Sequence, residues 1–448
     1  MTAYDAADVP PDGHAVDPVV GLLGPIAPQD VDLLADDDGR SPAPWPALPP
    51  EAFYGLPGEI VQAIEPHTEA DPAAMLFTLY AAAGAMIGHR PHVLTGGVEH
   101  GAKVWPLIIG RTAGGVKGTS WAEVRRVLRA ADSLFVASHV MGGLSSAEGL
   151  IYQVRDSEGD DPDGDHFDPG VADKRLLIVE SEFASVLAQG KRDGNTLLPL
   201  VRQAWDGGSL RTMTVRSKVA TDPHIVIIGH ITPTELRMKL AESERAGGTM
   251  NRFLPVLSRR SKLLPDGGNL ADGDLKALGA SLASVIAQAA TVGRMVRTVE
   301  AAEYWQDLYG RLAGDHMDDG QVAQVVARAA PQVLRMSVTA ALLCGERRID
   351  LPHLQAAEAM WSYVEESAWH VFGSMSGNPD LERIKSFVDA AGTQGVTRDE
   401  IRIKCFGKHK KKRELDQLVS ELLPLGYEVT ERRGRGRPAM VLRRVPRT

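Results

Sequence analysis

Short apolar runs alternate with amphipathic stretches along the middle of the chain. Five of these runs are rich in β-branched residues and have the composition of strands buried on both faces of a mainly parallel sheet. They cover residues 104–110, 134–138, 175–181, 224–230 and 252–258. The stretches between them, such as WAEVRRVLRAAD and GNTLLPLVRQAW, have the apolar spacing of amphipathic helices. The alternation predicts an α/β fold.

Helical patterns flank this alternating region. DPAAMLFTLYAAAGAMIG is apolar nearly all round, so we expect a buried helix with Asp71 as its N-cap and Pro72 at its first position. Residues 274–372 are Ala-rich and helical, with a turn at GERRIDLPH. Residues 1–48 are acidic and rich in Pro, Gly and Ala, so we expect them to be largely disordered.

The C-terminal segment has a pattern of its own. Three short helical stretches, LERIKSFVDAAG, GVTRDEIRIKCF and KKKRELDQLVSELLPLG, precede two strands around a Gly-rich turn, YEVTERRGRGRPAMVLRRV. This order predicts a winged helix, in which the third helix enters a major groove and the wing touches phosphates. RGRGRP also resembles an AT-hook that binds an A·T minor groove, but a wing turn is the favoured interpretation.

Charge separates the two ends of the chain. Residues 380–448 carry 17 Lys/Arg against 10 Asp/Glu, a net of +7, so the rest of the chain, whose total is −9, carries −16. A basic tail on an acidic body suggests that this end meets nucleic acid. The candidate DNA-binding residues are Lys408, Lys410, Lys411, Lys412, Arg413, Arg432, Arg433, Arg435 and Arg437. A solvated helix start and a protein-binding winged helix are the alternatives.

Several classes of protein are excluded by composition. The two cysteines, Cys344 and Cys405, are far apart and cannot form a disulfide framework or a Cys-based zinc site. The N-terminus has no apolar run typical of a signal peptide, and no stretch of about 18 apolar residues predicts a membrane span. We therefore expect a cytoplasmic protein. The segment 156–170 is acidic, Gly/Pro-rich and aperiodic, so we expect a surface loop. A calcium-binding loop is the alternative, but the spacing lacks the terminal Glu of an EF-hand.

The strongest candidate chemistry lies in PLIIGRTAGGVKGTSWAEVRRVL, where a strand, a Gly-rich loop with one lysine and an amphipathic helix follow one another. In phosphate-binding loops, backbone N–H groups surround the phosphates, a lysine reaches the β- and γ-phosphates, and a hydroxyl holds Mg²⁺. The match to G-x-x-x-x-G-K-[ST] is imperfect, because Val116 precedes Lys117 and Gly118 follows it. The candidate nucleotide-binding residues are Gly110, Thr112, Gly114, Gly115, Lys117, Gly118, Thr119 and Ser120. The alternative is a Gly-rich turn with a solvated lysine.

Carboxylates end the strand at 175–181. In P-loop ATPases, such an acidic strand runs beside the strand that leads into the phosphate loop. Glu180 is expected to orient Mg²⁺ through water, opposite a Thr119 ligand, and Glu182 to polarise the attacking water. A strand that ends in a solvated acidic turn is the alternative.

Two further strands end in or begin with functional candidates. His230, followed by Thr232, lies at the tip of the strand expected next to the acidic one, where a polar residue can sense the γ-phosphate. Arg252 and two later arginines flank the last strand, and Arg252 could reach a nucleotide across a subunit interface. The alternatives are a helix-capping threonine, a histidine satisfied by a carbonyl, and a surface arginine in an ion pair.

Taken together, the segments GRTAGGVKGTSW, LLIVESEFASVLAQGKRDGNTLLPLVRQAWDG, IIGHITPTEL and NRFLPVLSRRSKLLP resemble a family of P-loop ATPases of uncharacterised domain type. These proteins are common in actinobacterial genomes, phages and integrated elements, often beside or fused to primase–polymerase modules. The resemblance extends over residues 45–372 and implies a RecA/AAA-like core of the hexameric-helicase type. It implies ATP and Mg²⁺ as cofactors, a loop from Gly110 to Ser120, acids Glu180 and Glu182, sensor His230 and finger Arg252. The Lys-Gly-Thr-Ser form of the loop is familiar in that family.

The sequence therefore predicts an ATP-driven DNA motor, of the replicative helicase type, of a phage, plasmid or integrated element. Its partners are expected to be DNA, further copies of itself in a hexameric ring, and a primase or other replication protein. The alternatives are a DNA-binding regulator with a vestigial P-loop shell and a DNA-triggered ATPase switch in defence. The expected organisation is a disordered segment (1–48), a helical region (49–100), a P-loop core (101–273), a helical lid (274–372), a linker (373–380) and a basic winged helix (381–448).

Overall fold

The fold is described from a computed structural model of the chain. The described residues are 45–111, 116–159, 167–190, 192, 194–212, 218–241, 248–314, 321–373, 379–432 and 439–445. Several predictions concern residues outside these ranges: the disorder of residues 1–44, the loop residues Thr112, Gly114 and Gly115, the 374–378 part of the linker, and the tail arginines Arg433, Arg435 and Arg437.

The described residues form an alternating series of helices and strands. The helices are α1 (Leu56–Ile64), α2 (Pro72–Ile87), α3 (Lys117–Ala131), α4 (Ser133–Ser138), α5 (Ala147–Tyr152), α6 (Phe183–Gln189), α7 (Leu197–Asp206), α8 (Pro233–Ala241), α9 (Asp272–Ala289), α10 (Val299–Ala313), α11 (Gln321–Val326), α12 (Ala329–Leu343), α13 (Leu351–Phe372), α14 (Pro379–Ala390), α15 (Arg398–Glu400) and α16 (Lys412–Leu422). The strands are β1 (His92–Thr95), β2 (Val98–Gly101), β3 (Pro106–Ile109), β4 (Val140–Met141), β5 (Arg175–Glu180), β6 (Leu210–Arg211), β7 (Val219–Ala220), β8 (His224–Ile231), β9 (Leu254–Leu257), β10 (Val296–Arg297), β11 (Arg348–Ile349), β12 (Val396–Thr397), β13 (Tyr427–Arg432) and β14 (Ala439–Arg444).

Five parallel strands form the central sheet, in the order β4-β5-β8-β3-β9. Every residue of β8 is buried, so both faces of the sheet are covered, as the continuous apolar run predicts. The α/β prediction is confirmed, and the order of the strands is compatible with a P-loop-like or Rossmann-like core.

Four of the five predicted strands are confirmed as β3, β5, β8 and β9. The prediction of a strand at 134–138 is wrong, because this segment forms α4. The side chain of Asp132 accepts a hydrogen bond from the Phe135 N–H group at 2.9 Å and so caps the helix, a local signal that outweighs the apolar run. The edge strand of the sheet is instead the two-residue β4 that follows.

The predicted neighbourhood of the acidic strand is also wrong. β5 does not lie beside β3, because β8 forms parallel hydrogen-bonded ladders with both of them and separates them. β8 is eight residues long and wholly apolar apart from its two histidines, which suits it to the centre of the sheet. The prediction that the strand ending near His230 neighbours the acidic strand is confirmed.

A single hydrophobic cluster extends from Ala52 to Phe372 and joins the sheet to the helices on either side of it in the sequence. The predicted buried helix is α2, which packs against β5, β8, β3 and β9. The predicted N-cap is confirmed, since the Asp71 carboxylate accepts from the Ala73 N–H group at 2.9 Å and Pro72 is the first helical residue. Burial raises the pKa of Asp71 to about 6. The stretch 274–372 is mostly helical, with short strands β10 and β11, and α13 packs directly on β9.

The C-terminal segment has its own hydrophobic cluster, which includes Ile384, Ile401 and Leu422. Helix α14, strand β12, α15 with a π-helical continuation at Ile401–Cys405, α16, β13 and β14 follow one another. The three strands form an antiparallel sheet in the order β12-β14-β13. None of the helices in the described part of the chain has the combination of length and apolar character needed to cross a bilayer.

Candidate functional site

The connections between the strands single out one edge of the sheet. From β3 the chain passes to β4 on one side, whereas from β8 it passes over β3 to β9 on the other. Neighbouring strands whose connections leave in opposite directions create a crevice at their carboxyl ends, and ligands of open α/β sheets bind there. The crevice lies between the end of β3, where Gly110 donates to the Ile231 carbonyl at 3.2 Å, and the end of β8.

Lys117 is the first residue of α3 and lies at this crevice. Its ammonium group donates hydrogen bonds to the carbonyl oxygens of Gly110 and, at 3.4 Å, Arg111. Burial lowers the pKa of Lys117, and the negative charge of Glu235 partly offsets that effect. Lys117 thus begins the helix that follows β3, as predicted, and its role in binding a nucleotide stays a prediction.

The start of α3 is uncapped and conformationally unusual. Val116, its N-cap residue, provides no side-chain hydrogen bond and has φ 38° and ψ 26°. A β-branched residue rarely adopts this left-handed conformation, which costs on the order of 1–3 kcal/mol. Gly118 is exposed, and a Cβ atom added there would meet nothing within 4 Å. The side of the first turn of α3 that carries Gly118 is therefore open within the described residues.

The hydroxyl residues of the loop differ in their surroundings. Ser120 is fully buried, and its hydroxyl points back to the Val116 carbonyl at 3.4 Å. Thr119, one residue earlier in the first turn, is only half-buried. Thr119 is therefore the more accessible of the two, and its role as a metal ligand stays a prediction.

His230 lies at the end of β8, opposite Ile108 in the register of the neighbouring strand. Burial, together with a smaller effect of the Lys117 charge, lowers its pKa to about 4, so the ring is neutral near pH 7. Its Nε2 atom is buried and has no hydrogen-bond partner among the described residues. Thr232 caps α8 instead, since its hydroxyl donates to Glu235 at 2.7 Å and accepts from the Glu235 N–H group at 3.2 Å. The capping alternative thus holds for this threonine, whereas the Nε2 atom of the histidine has no carbonyl partner in the described part of the chain.

Glu180 and Glu182 differ sharply in environment. Glu180, the last residue of β5, is 8% exposed and accepts a hydrogen bond from the Leu144 N–H group at 2.6 Å. Glu182 is exposed, precedes α6 and forms no side-chain cap to that helix. One carboxylate is thus held rigidly at the carboxyl edge, and the other is available to solvent.

Arg252 lies at the opposite edge of the sheet. It ends a 3₁₀ turn just before β9, and the four residues of that strand separate the two edges by about 13 Å. Its guanidinium group donates to Asp206 at 2.7 Å and to the Gly248 carbonyl at 2.6 Å, and its side chain is 7% exposed. Arg252 is therefore occupied by an ion pair within its own chain, in which the arginine is buried and the carboxylate of Asp206 is 46% exposed.

The described basic residues of the tail are not equivalent. Lys411, Lys412 and Arg413 are exposed at the start of α16, and Arg432 is exposed at the end of β13. Lys408 is also exposed. Lys410 forms an ion pair with Asp380 at 2.5 Å, which raises its pKa.

Acidic residues in the described parts of the 156–170 segment are used structurally. Asp168 binds Arg155 at 2.7 Å and Lys218 at 2.9 Å, and Asp156 binds Lys174. Across the described ranges, no three His, Cys, Asp or Glu side chains are grouped so that they could hold a metal ion.

A second group of charged residues was not predicted. Lys103 and Arg335 are buried near the amino edge of the sheet and bind the Ala204 and Trp205 carbonyls, the last turn of α7, at 2.8 and 2.9 Å. The sequence signal for these residues is a single basic residue within an apolar stretch, in GAKVWPLIIG for Lys103 and in PQVLRMSVTAALL for Arg335.

A scan against models of known protein families and a search of curated proteins each return no match to this chain.

Proposed function

We propose that this chain is an ATP-dependent DNA motor, a P-loop ATPase of the helicase type that works in the replication of a phage, plasmid or integrated element. The position of Lys117 carries the proposal. Its ammonium group lies at the switch point of a parallel sheet, at an uncapped helix start, and hydrogen-bonds to backbone carbonyls. Phosphate groups bind at such helix N-termini because the backbone N–H groups and the helix dipole attract negative charge.

The groups at this edge fit a triphosphate. Burial lowers the pKa of Lys117 and the charge of Glu235 offsets this only in part, so a phosphate would stabilise the charged ammonium further. The orphaned Nε2 atom of His230 is a further group that needs a partner, and a neutral imidazole can donate one hydrogen bond. The free side of Gly118 leaves room for a ligand to approach the backbone.

The carboxylates suit the two roles that hydrolysis requires. Bound Mg²⁺ would neutralise charge on the phosphates, and Thr119 together with Glu180 would hold it. Glu180 is fixed by its hydrogen bond to the Leu144 N–H group, which suits a ligand that acts through water. Glu182 is exposed at the same edge and can accept a proton from the attacking water.

A ring of subunits is the arrangement in which Arg252 could meet a nucleotide. The length of β9 separates Arg252 from Lys117 of its own chain, so an arginine finger at this position would have to act on a neighbouring subunit. Its ion pair with Asp206 would then be exchanged for the nucleotide phosphate.

DNA binding is proposed for the tail. The order of helices and strands in residues 379–444 and the antiparallel sheet β12-β14-β13 support the proposal that the tail is a winged helix. The exposed Lys411, Lys412 and Arg413 begin α16, the third main helix, which is the helix that enters the major groove in this class of protein. The net charge of +7 in the tail supports this interpretation.

The decisive experiment measures ATP hydrolysis with and without single-stranded DNA in three proteins: wild type, Lys117→Ala and Gly118→Ala. A hydrogen bond to a charged group contributes about 1.5–3 kcal/mol, so Lys117→Ala should weaken nucleotide binding roughly 10- to 100-fold and abolish turnover. Gly118→Ala is a matched variant, because its methyl group meets nothing in the free protein. It should fold normally and bind nucleotide more weakly if phosphate packs against this backbone.

The outcomes separate the alternatives. Absence of turnover in the wild type would favour a DNA-binding regulator with a vestigial nucleotide site. DNA-stimulated turnover without strand separation would favour a DNA-triggered switch. Turnover near the wild-type level in Lys117→Ala would overturn the nucleotide site itself.

A further inference from the structure

Guanidinium groups converge on one indole ring at the amino edge of the sheet. The Cζ atoms of Arg335, Arg328 and Arg252 lie 3.5, 5.2 and 5.6 Å from the centre of the Trp205 ring. Asp206 follows Trp205 at the end of α7. We call these five residues the Trp205 cluster. Trp205 and Asp206 end α7, Arg252 lies in the turn before β9, and Arg328 and Arg335 are the N-cap and a residue of α12. These elements are distant in sequence, so tertiary packing brings the cluster together.

The Trp205 cluster has more positive than negative charge. Asp206 is its one carboxylate, and it binds Arg252 at 2.7 Å and Arg328 at 3.8 Å. Arg335 and the nearby Lys103 are 2% and 8% exposed and are hydrogen-bonded to helix carbonyls rather than to an acid. Buried charges without counter-ions are costly, so this surplus favours the entry of an anion.

Unused hydrogen-bond donors accompany the surplus charge. The Nε and Nη1 atoms of Arg335, the Nε atom of Arg252 and the Nε1 atom of Trp205 are buried and have no partner within the described ranges. Capping of the last turn of α7 accounts for only one donor of Arg335, its Nη2 atom. A structural role in closing the helix therefore leaves most of the donor capacity of this residue unexplained.

The Trp205 cluster is accessible from one side. The side chains of Asp206 and Arg328 are 46% and 34% exposed. Gly207 and Gly208 follow Asp206, both are exposed, and a Cβ atom added to either would meet nothing within 4 Å. A ligand can thus approach the backbone next to the charged groups.

We propose that the Trp205 cluster binds a phosphate group, with Arg328 and Arg335 as its main ligands and Asp206 as the carboxylate that competes with it. The paired N–H groups of a guanidinium can donate two parallel hydrogen bonds to the oxygens of a phosphate. A phosphate dianion also neutralises more of the positive charge of the cluster than a second carboxylate would. The phosphate is either that of a nucleic-acid backbone or a free phosphate. The site lies at the opposite edge of the sheet from Lys117 of its own chain and shares Arg252 with the proposed contact to a neighbouring subunit's nucleotide, but phosphate binding there does not require ATP hydrolysis.

The test uses the full-length chain carrying Lys117→Ala, so that the carboxyl edge does not contribute, and adds Asp206→Asn or Arg328→Gln. The midpoint of thermal unfolding is measured against inorganic phosphate, with sodium chloride at matched ionic strength as the control. A ligand that binds only the folded state stabilises it by RT ln(1 + L/Kd), where L is the ligand concentration, so this midpoint rises with the ratio of ligand concentration to Kd. Far-UV circular dichroism checks that each variant is folded.

The proposal predicts opposite effects of the two substitutions. Asp206→Asn removes the competing carboxylate and should tighten phosphate binding about tenfold, the factor that one screened unit charge a few ångströms away produces. Arg328→Gln should weaken binding by a similar factor. A purely structural ion pair would make both variants less stable and leave the phosphate effect unchanged, and that result would overturn the proposal.

A second measurement identifies the source of the phosphate. The same proteins are titrated into fluorescent oligothymidylate and followed by anisotropy. Affinities in the order Asp206→Asn, parent, Arg328→Gln would support a nucleic-acid phosphate. Equal oligothymidylate affinities, together with the variant-dependent effect of inorganic phosphate, would support a site for free phosphate.

Discussion

The energetic effect of the buried positive charge can be measured most directly at Lys103. Its ammonium group is buried, donates to the Ala204 carbonyl at 2.8 Å, and has a pKa lowered from 10.5 to about 7. Burial is the main cause of this shift, and the Arg335 guanidinium adds to it, whereas Asp206 opposes it. Removal of the ammonium group by Lys103→Met keeps the length of the side chain and should stabilise the folded protein.

The sign and size of the effect follow from the pKa. A lysine whose pKa is lower in the folded state destabilises that state at low pH, and the penalty fades as pH rises from about 7 towards 10.5. At 1.36 kcal/mol per unit, the penalty is about 5 kcal/mol at pH 6 and about 2 kcal/mol at pH 9. The unpaired Ala204 carbonyl costs roughly 1–3 kcal/mol in the variant. Lys103→Met should therefore be about 2–4 kcal/mol more stable than the wild type at pH 6 and lose about 3 kcal/mol of that advantage by pH 9.

Urea unfolding followed by circular dichroism at the two pH values provides the assay. Lys276→Met is the matched control, because Lys276 is exposed on α9 and its substitution should have a small effect that is the same at both pH values. A difference between wild type and Lys103→Met that does not change between the two pH values would refute the reasoning, since it would mean that Lys103 has the same pKa in both states.

Further predictions concern catalysis, assembly and DNA. Glu182→Gln should leave ATP binding intact and stop hydrolysis, whereas Glu180→Gln should weaken the dependence on magnesium; if Glu180→Gln alone traps ATP, the two roles are reversed. Arg252→Ala should block hydrolysis, and mixing it with Lys117→Ala should restore some turnover through mixed interfaces, a recovery that no mixing ratio would give if each site belonged to one chain. Neutralising the exposed basic residues 411–413 should reduce the salt slope of DNA binding, measured by anisotropy, by about 3. An unchanged slope would assign duplex binding to another part of the chain.

Long periodic segments could be predicted from the sequence because their burial is continuous. β5, β8 and α2 follow from uninterrupted apolar runs, and the cap at Asp71 follows from the Asp-Pro pair before α2. The segment 134–138 could not be assigned in the same way. It is short and apolar in both possible states, and the cap from Asp132 decides the outcome.

The candidate site could be predicted only in part, for a similar reason. The chain order of Lys117, Glu180 and His230 is visible in the sequence, and the parallel sheet brings the ends of their strands to one edge. The order of the strands within the sheet is not visible, because local patterns contain no information on which buried strands are neighbours. The Trp205 cluster was missed because its arginines are distant in sequence and converge only through tertiary packing.

The ladder between β3 and β9 has a mechanical consequence. Hydrogen bonds close it at both ends, from the Leu254 N–H group to the Trp105 carbonyl and from the Ser258 N–H group to the Ile109 carbonyl, each at 2.8 Å. Sliding one strand along the other would break all of these hydrogen bonds at once, so the two strands form one rigid unit about 13 Å long. The glycine loop follows one end of this strand pair, and Arg252 precedes the other. The two edges of the sheet are thus joined here by a continuous hydrogen-bonded ladder rather than by a loop.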